Sequence, residues 1–318
     1  MKKTWEYTAI FTLILIGMMQ AVPFLPTHTN CQAVCCVEAV SCCETQVETE
    51  CDMAMTSCNV TLFVPLISAP LIKVDTMKRI KLGILQTNHD KSTEVGDAFP
   101  DDAHRFRDLF DQQDQRFQYR VYMTIGGEVP ASLDEQDAFL ITGSPLSVLD
   151  HHIFTDDLLA FIRRCDAAKK PLLGACFGHQ AIAVALGGKV KKICGGYNVG
   201  IEETRFAVRR PWMCPQHDRL PMYVFHEDQV TQLPPGCDLL GSSDKCQITS
   251  FAKGDHIFTT QAHPEFSDRF MRCVLKFTQP HLSPENLSGI WDSLEQEQLG
   301  QVFGVWAANF FKGDASNA

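Results

Sequence analysis

Apolar positions along this chain fall into two patterns that alternate. Residues 80–86 (IKLGILQ), following Lys78 and Arg79, form a short apolar run of the kind that predicts a buried strand. Asp101 and Asp102 then open AHRFRDLFDQQ, where Leu109 and Phe110 follow Phe106 at spacings of three and four and share one helical face with it. FQYRVYMT (117–124) predicts a partly alternating strand, and DAFLIT (137–142) a buried one that ends at Gly143-Ser144-Pro145. TDDLLAFIRRCDAAKK (155–170) has an acidic start and a basic finish, matching a helix dipole. PLLGAC (171–176) predicts a strand, and FGHQAIAVALGG (177–188) a helix stopped by its two glycines. Residues 257–261 predict another strand, and FSDRFMRCVLKF and SGIWDSLEQEQL predict closing helices. This alternation predicts an α/β fold: a mostly parallel central sheet with helices on both faces, and sites at the carboxyl ends of its strands.

The first 76 residues do not share the pattern. Lys2 and Lys3 precede the apolar run AIFTLILIGMMQAV (9–22), which Pro23 ends; it reads as a secretory signal or N-terminal anchor and is short for a membrane span. Seven of the 14 cysteines then crowd between Cys31 and Cys58. That patch suits either disulfides or a soft metal, although its spacing matches no zinc motif. The expected division is residues 1–76, an appended extension, and residues 77–318, the functional domain beginning at Met77.

The chain is 45% hydrophobic, enough for a full-sized core, so it is not a wholly disordered protein. Its net charge of −10, with no basic domain, argues against a general nucleic-acid binder. The widely spaced thiols of the second domain suit a reducing cytoplasm; export or membrane anchorage would come only through residues 1–25, if they are retained.

The candidate chemistry centres on Cys176. Gly174-Ala175-Cys176-Phe177-Gly178 sits between a predicted buried strand and a helix, a cysteine version of the strained nucleophile elbow. The flanking glycines let strand and helix approach, and the helix N-terminus favours a thiolate. His263 lies just past the 257–261 strand, at the same sheet edge, and Glu265 follows across Pro264. That places an imidazole as base and a carboxylate to orient it. The tetrahedral intermediate needs backbone N–H donors, for which the amides of Ser144 and Phe177 are the candidates; Pro145 has none to offer.

G-A-C-F-G-H-Q followed by A-H-P-E-F resembles the class I, triad-type glutamine amidotransferases over roughly residues 78–272. The resemblance is greatest to stand-alone proteins like the glutaminase domain of GMP synthetase, some plant relatives of which are γ-glutamyl peptidases. It implies a flavodoxin-like sheet, Cys176 as nucleophile, His263 as base, Glu265 as orienter and Gln180 as a binder of substrate glutamine. HEDQV (226–230) resembles the SHGDxV stretch of guanylate-synthesising relatives and is given no catalytic role. Gly143-Ser144-Pro145 departs from the family's frequent Gly-Gly-Pro. The implied reaction runs through a γ-glutamyl thioester and calls for no metal or organic cofactor.

The sequence carries neither a Ser-Gly-Gly-x-Asp-Ser loop nor a GxxxxGK[ST] motif, so the resemblance reaches only the amide-hydrolysing half of a synthetase. Three readings stand. The first is a glutaminase-type amidotransferase whose synthetase or acceptor subunit is separate. The second is a γ-glutamyl peptidase or hydrolase using the same triad. The third is a non-catalytic binding module on the same fold.

Overall fold

The structure, a computed structural model, describes residues 79–193 and 196–313, without the side chains of residues 285 and 286. The expected N-terminal extension, its cysteine patch and the boundary at residue 77 lie outside the described residues.

The first half of the fold is built from units that the apolar runs foretell. Strand β1 (Ile80–Leu85) leads to helix α1 (Asp102–Asp111), and β2 (Phe117–Tyr122) and β3 (Ala138–Ile141) follow. Helix α2 (Thr155–Ala168), strand β4 (Leu172–Ala175) and helix α3 (Phe177–Ala185) come next. Asp101 caps α1 by accepting from the His104 amide at 2.9 Å, which satisfies one of the helix's otherwise orphaned donors.

The second half is strand-rich. Strand β5 (Lys189–Lys192) pairs in a separate ribbon with β8 (Asp228–Gln232), and between them run β6 (Asn198–Phe206) and β7 (Arg219–His226). Strands β9 (Asp238–Ser242), β10 (Ser250–Lys253) and β11 (Ile257–Thr260) precede three helices, α4 (Asp268–Thr278), α5 (Pro284–Ser293) and α6 (Gly300–Lys312).

The main sheet has the order β2-β1-β3-β4-β11-β10-β9-β6-β7. Its first five strands are parallel, as expected, and carry the fold-defining core. The remaining four add an antiparallel extension that the sequence did not announce. Strand β6, NVGIEETRF, shows why: Glu202, Glu203 and Arg205 interrupt any apolar run.

Both faces of the parallel block are covered. Phe106 and Phe110 of α1 pack with Phe303, Trp306 and Phe310 of α6 on one face. Phe161 and Ile162 of α2 and Ile182 of α3 cover the other. A third cluster joins Phe270, Met271 and Leu275 of α4 to Val199 and Tyr223 of the antiparallel extension.

Register brings the chemistry to one edge. Leu85 pairs with Ile141, Ile141 with Gly174, and Ala175 with Thr260. The residues that follow each strand (Gln86-Thr87, Thr142-Gly143, Cys176 and Gln261 to His263) therefore emerge side by side. Strand β4 and helix α3 pack too closely for side chains between them: a Cβ on Gly174 would meet the Gly178 carbonyl at 2.6 Å. A Cβ on Gly178 would in turn run into the carbonyl oxygen of Ile141. Gly178→Ala should thus lower stability by about 1–3 kcal/mol through overpacking, measured by urea denaturation.

Candidate functional site

Cys176 occupies the single residue between β4 and α3, with φ +48° and ψ −102°. A residue with a Cβ pays on the order of 1–3 kcal/mol for such a conformation, so its neighbours must hold it. They do so from both sides. The Cys176 amide donates to the Thr260 carbonyl at 2.8 Å, and its carbonyl accepts from the Gln180 amide at 3.1 Å. The residue is 3% exposed. Its Sγ lies 3.6 Å from Gln261 Nε2 and 3.9 Å from the Phe225 carbonyl oxygen.

His263 and Glu265 form a buried pair, Nδ1 to Oε1 at 2.8 Å. The His263 amide is anchored on the Tyr223 carbonyl at 2.8 Å, and its ring stacks on Phe266 with centroids 4.0 Å apart and planes 17° from parallel. The imidazole and the cysteine meet beside Gly143. A methyl group there would stand 2.8 Å from His263 Cε1 and 3.6 Å from Cys176 Cβ, so glycine is what admits both. Burial alone would push the imidazole pKa down, but the charges of Cys176 and Glu265 outweigh it and raise it to about 10. The other oxygen of Glu265 is buried with no partner among the described residues, which leaves His263 as the carboxylate's principal stabiliser.

Two further buried histidines nearby are neutral. Burial pushes His179 down to about 3, and its Nδ1 meets Thr259 Oγ1 at 2.9 Å. Burial pushes His226 down to about 4. The Asn198 side-chain amide lies 3.3 Å from His226 Nε2, which therefore accepts, and Nδ1–H donates to the Asp228 carbonyl at 3.0 Å.

Gln180 is also buried. Its Nε2 donates to that same Asp228 carbonyl at 2.8 Å and lies 3.3 Å from Gln261 Oε1. Asp228 itself is 6% exposed; one carboxylate oxygen accepts from the Ser147 hydroxyl and the other has no partner among the described residues. Such an orphaned acceptor beside the elbow is a ready site for a cationic group. The amides of Ser144 and Phe177 likewise have no acceptor among the described residues, as the first turn of a helix leads one to expect for Phe177.

All six residues singled out by sequence thus lie around one strand edge. Asp228 and Gln261 were not singled out. Gln261 carried a signal, being two residues before His263 on a predicted strand end; Asp228 carried only its place in HEDQV. Among the described residues no cluster of three or more His, Cys, Asp or Glu is arranged to hold a metal ion. An open cleft lined by Lys169, Lys253 and His256 lies at the amino ends of β4 and β11, the opposite edge from Cys176. No helix among the described residues is long and apolar enough to cross a membrane.

Residues 116–277 match the family model described as glutamine amidotransferase class-I. Among curated proteins, the chain is 31% identical over 162 residues to gamma-glutamyl peptidase 3 of Arabidopsis thaliana, covering 48% of this chain and 65% of that one. It is 28% identical over 208 residues to gamma-glutamyl peptidase 2 of the same plant, covering 63% and 84%. A GMP synthase (glutamine-hydrolyzing) of Pyrobaculum aerophilum is 34% identical over 137 residues, 43% of this chain but 26% of that enzyme. In fold, the chain is similar to the crystal structure of a glutamine amidotransferase from Thermotoga maritima, with a TM-score of 0.58 at 19% identity, covering 73% and 96%. The cysteine elbow, the buried imidazole–carboxylate pair and these matches lead to one conclusion: the chain belongs to the class I glutamine amidotransferase family.

Proposed function

We propose that this protein hydrolyses γ-glutamyl amide bonds, those of glutamine or of γ-glutamyl peptides, through a Cys176–His263–Glu265 triad. The observation that carries the reading is a strained, buried cysteine beside an imidazole that the charges of that cysteine and of a buried carboxylate hold well above its ordinary pKa. The Cys176 thiolate attacks the γ-carbonyl carbon of the substrate. The oxyanion forms within reach of the Ser144 and Phe177 amides, each such donor contributing roughly 10²–10³-fold in rate. The His263 imidazolium gives its proton to the departing nitrogen, and the amine or ammonia leaves a γ-glutamyl thioester behind. The now neutral imidazole takes a proton from water as it attacks, and collapse releases glutamate with the thiolate–imidazolium pair restored. Glu265 holds Nδ1–H throughout and fixes the tautomer. The unpaired Asp228 carboxylate oxygen takes the substrate's α-ammonium, with Gln180 holding the Asp228 backbone in place.

A second reading concerns the acceptor. Similarity to the Arabidopsis peptidases spans up to 84% of a relative's length, whereas the match to the Pyrobaculum synthase covers 26%. We take this as support for a γ-glutamyl peptide over glutamine as substrate. If glutamine is the substrate, a separate synthetase subunit would consume the ammonia. A catalytic thiol suits a reducing compartment such as the cytoplasm, and that is the localisation we propose.

Incubation with glutamine and with γ-glutamyl dipeptides, reading released glutamate, distinguishes the two substrates. Cys176→Ala should lose about 10⁴-fold or more on whichever is cleaved, and activity equal to wild type would defeat both enzymatic readings. Asp228→Asn should raise KM about tenfold or more with a smaller change in kcat, measured by initial rates. The pKa of His263 is raised above its unfolded value, so its contribution to stability is full below about 6.5 and is lost as pH rises through about 10. NMR of its ring protons should show titration well above 6.5 in the wild type and at lower pH in Glu265→Gln.

A further inference from the structure

We infer that the buried hydroxyls of Thr87 and Thr142 form a clamp that sets the orientation of the Gly143–Ser144 peptide and so aims the Ser144 amide at the reacting carbonyl. This rests on the triad reading above and adds two positioning residues to it.

Both threonines follow strands of the parallel block, Thr87 after β1 and Thr142 after β3, and both are completely buried. Their hydroxyls converge on one backbone group. Thr87 Oγ1 lies 3.0 Å and Thr142 Oγ1 3.1 Å from the Gly143 carbonyl oxygen. The assembly is closed internally. The Thr87 amide donates to Thr142 Oγ1 at 3.1 Å, Thr87 Oγ1 is also 3.1 Å from the Thr142 carbonyl oxygen, and the two hydroxyls are 3.2 Å apart. Two hydroxyl protons thus serve the carbonyls of Thr142 and Gly143.

Peptide geometry carries the rest. In a planar trans peptide the C=O and the following N–H point in opposite directions. Pulling the Gly143 oxygen towards β1 therefore turns the Ser144 N–H away from β1. Gly143 itself borders His263 and Cys176, and the Ser144 amide has no acceptor among the described residues. Glycine is the residue most able to let this peptide rotate, so something must hold it. Pro145 helps by restricting Ser144 to extended conformations, but it does not choose between the two faces of the preceding peptide. The hydroxyl clamp does. Ser144 also replaces the glycine more common at this point, and its own Oγ is 3.2 Å from the Leu146 amide rather than turned to the thiol.

The test is Thr87→Val, which keeps the shape and removes the hydroxyl, alongside Thr87→Ser, which keeps the hydroxyl, and the double variant Thr87→Val/Thr142→Val. Expected are a kcat loss of about tenfold in Thr87→Val and about 100-fold in the double variant, the scale of one oxyanion donor. KM should stay within twofold, and Thr87→Ser should recover most of kcat. Alkylation of Cys176 by iodoacetamide, which reports the thiolate without calling on the oxyanion donors, should be unchanged. A kcat within twofold of wild type in the double variant overturns the clamp, and so does an alkylation rate that falls in step with kcat, because the threonines would then serve only general packing. A crystal structure of the double variant tests the clamp without any substrate: the Gly143–Ser144 peptide should be rotated or split between two orientations, and a single unchanged orientation overturns it. Absence of hydrolysis in the wild type as well would count against the triad reading, while that crystal structure still decides the clamp.

Discussion

The left-handed backbone of Cys176 is the constraint on which the site depends. A side chain at φ +48° does not hold itself there. It is held because the strand before it is pinned between β3 and β11, and because the helix after it starts at once. Gly174 and Gly178 make that possible by letting β4 and α3 touch backbone to backbone. The strain is thus stored in the turn and balanced by two large apolar layers, with Phe106, Phe110 and Trp306 on one side and Phe161 and Ile182 on the other. The cysteine's position is a property of the whole parallel block.

The electrostatics of the site follow from its dryness. Three imidazoles near the elbow are almost fully buried, yet only one stays in its charged form. His179 and His226 face neutral oxygens and amides, and burial decides their state. His263 faces Cys176 and a carboxylate with no other strong partner among the described residues, and their charges outweigh the same burial. A difference in neighbours, with little difference in solvent access, separates the neutral histidines from the charged one.

Much of this was legible in the amino acids because it is local. The elbow is five consecutive residues, and the imidazole and its carboxylate are two apart. The parallel strands read clearly because a strand covered on both faces needs an unbroken apolar run, as in AFLI of β3 or LLGA of β4. The antiparallel extension did not, since strands such as β6 and β7 mix charged and apolar positions and include Pro221. Thr87 and Asp228 were hidden too, and Gln261 carried only the signal of lying two residues before His263. Thr87 and Thr142 are 55 positions apart, and Gln261 and Cys176 are 85 apart, so only the register of neighbouring strands makes them neighbours. Nothing in a threonine after an apolar run distinguishes one that grips a peptide from one that ends a strand.

The division of the proposed triad between two strands has a thermal consequence. His263 and Glu265 travel together on one turn after β11, whereas Cys176 follows β4, the strand paired with it. Loosening of this single seam on heating would part sulfur from ring while leaving ring and carboxylate joined. If that proposed triad does the work, warming would act first as a local opening at this seam, ahead of the two apolar layers.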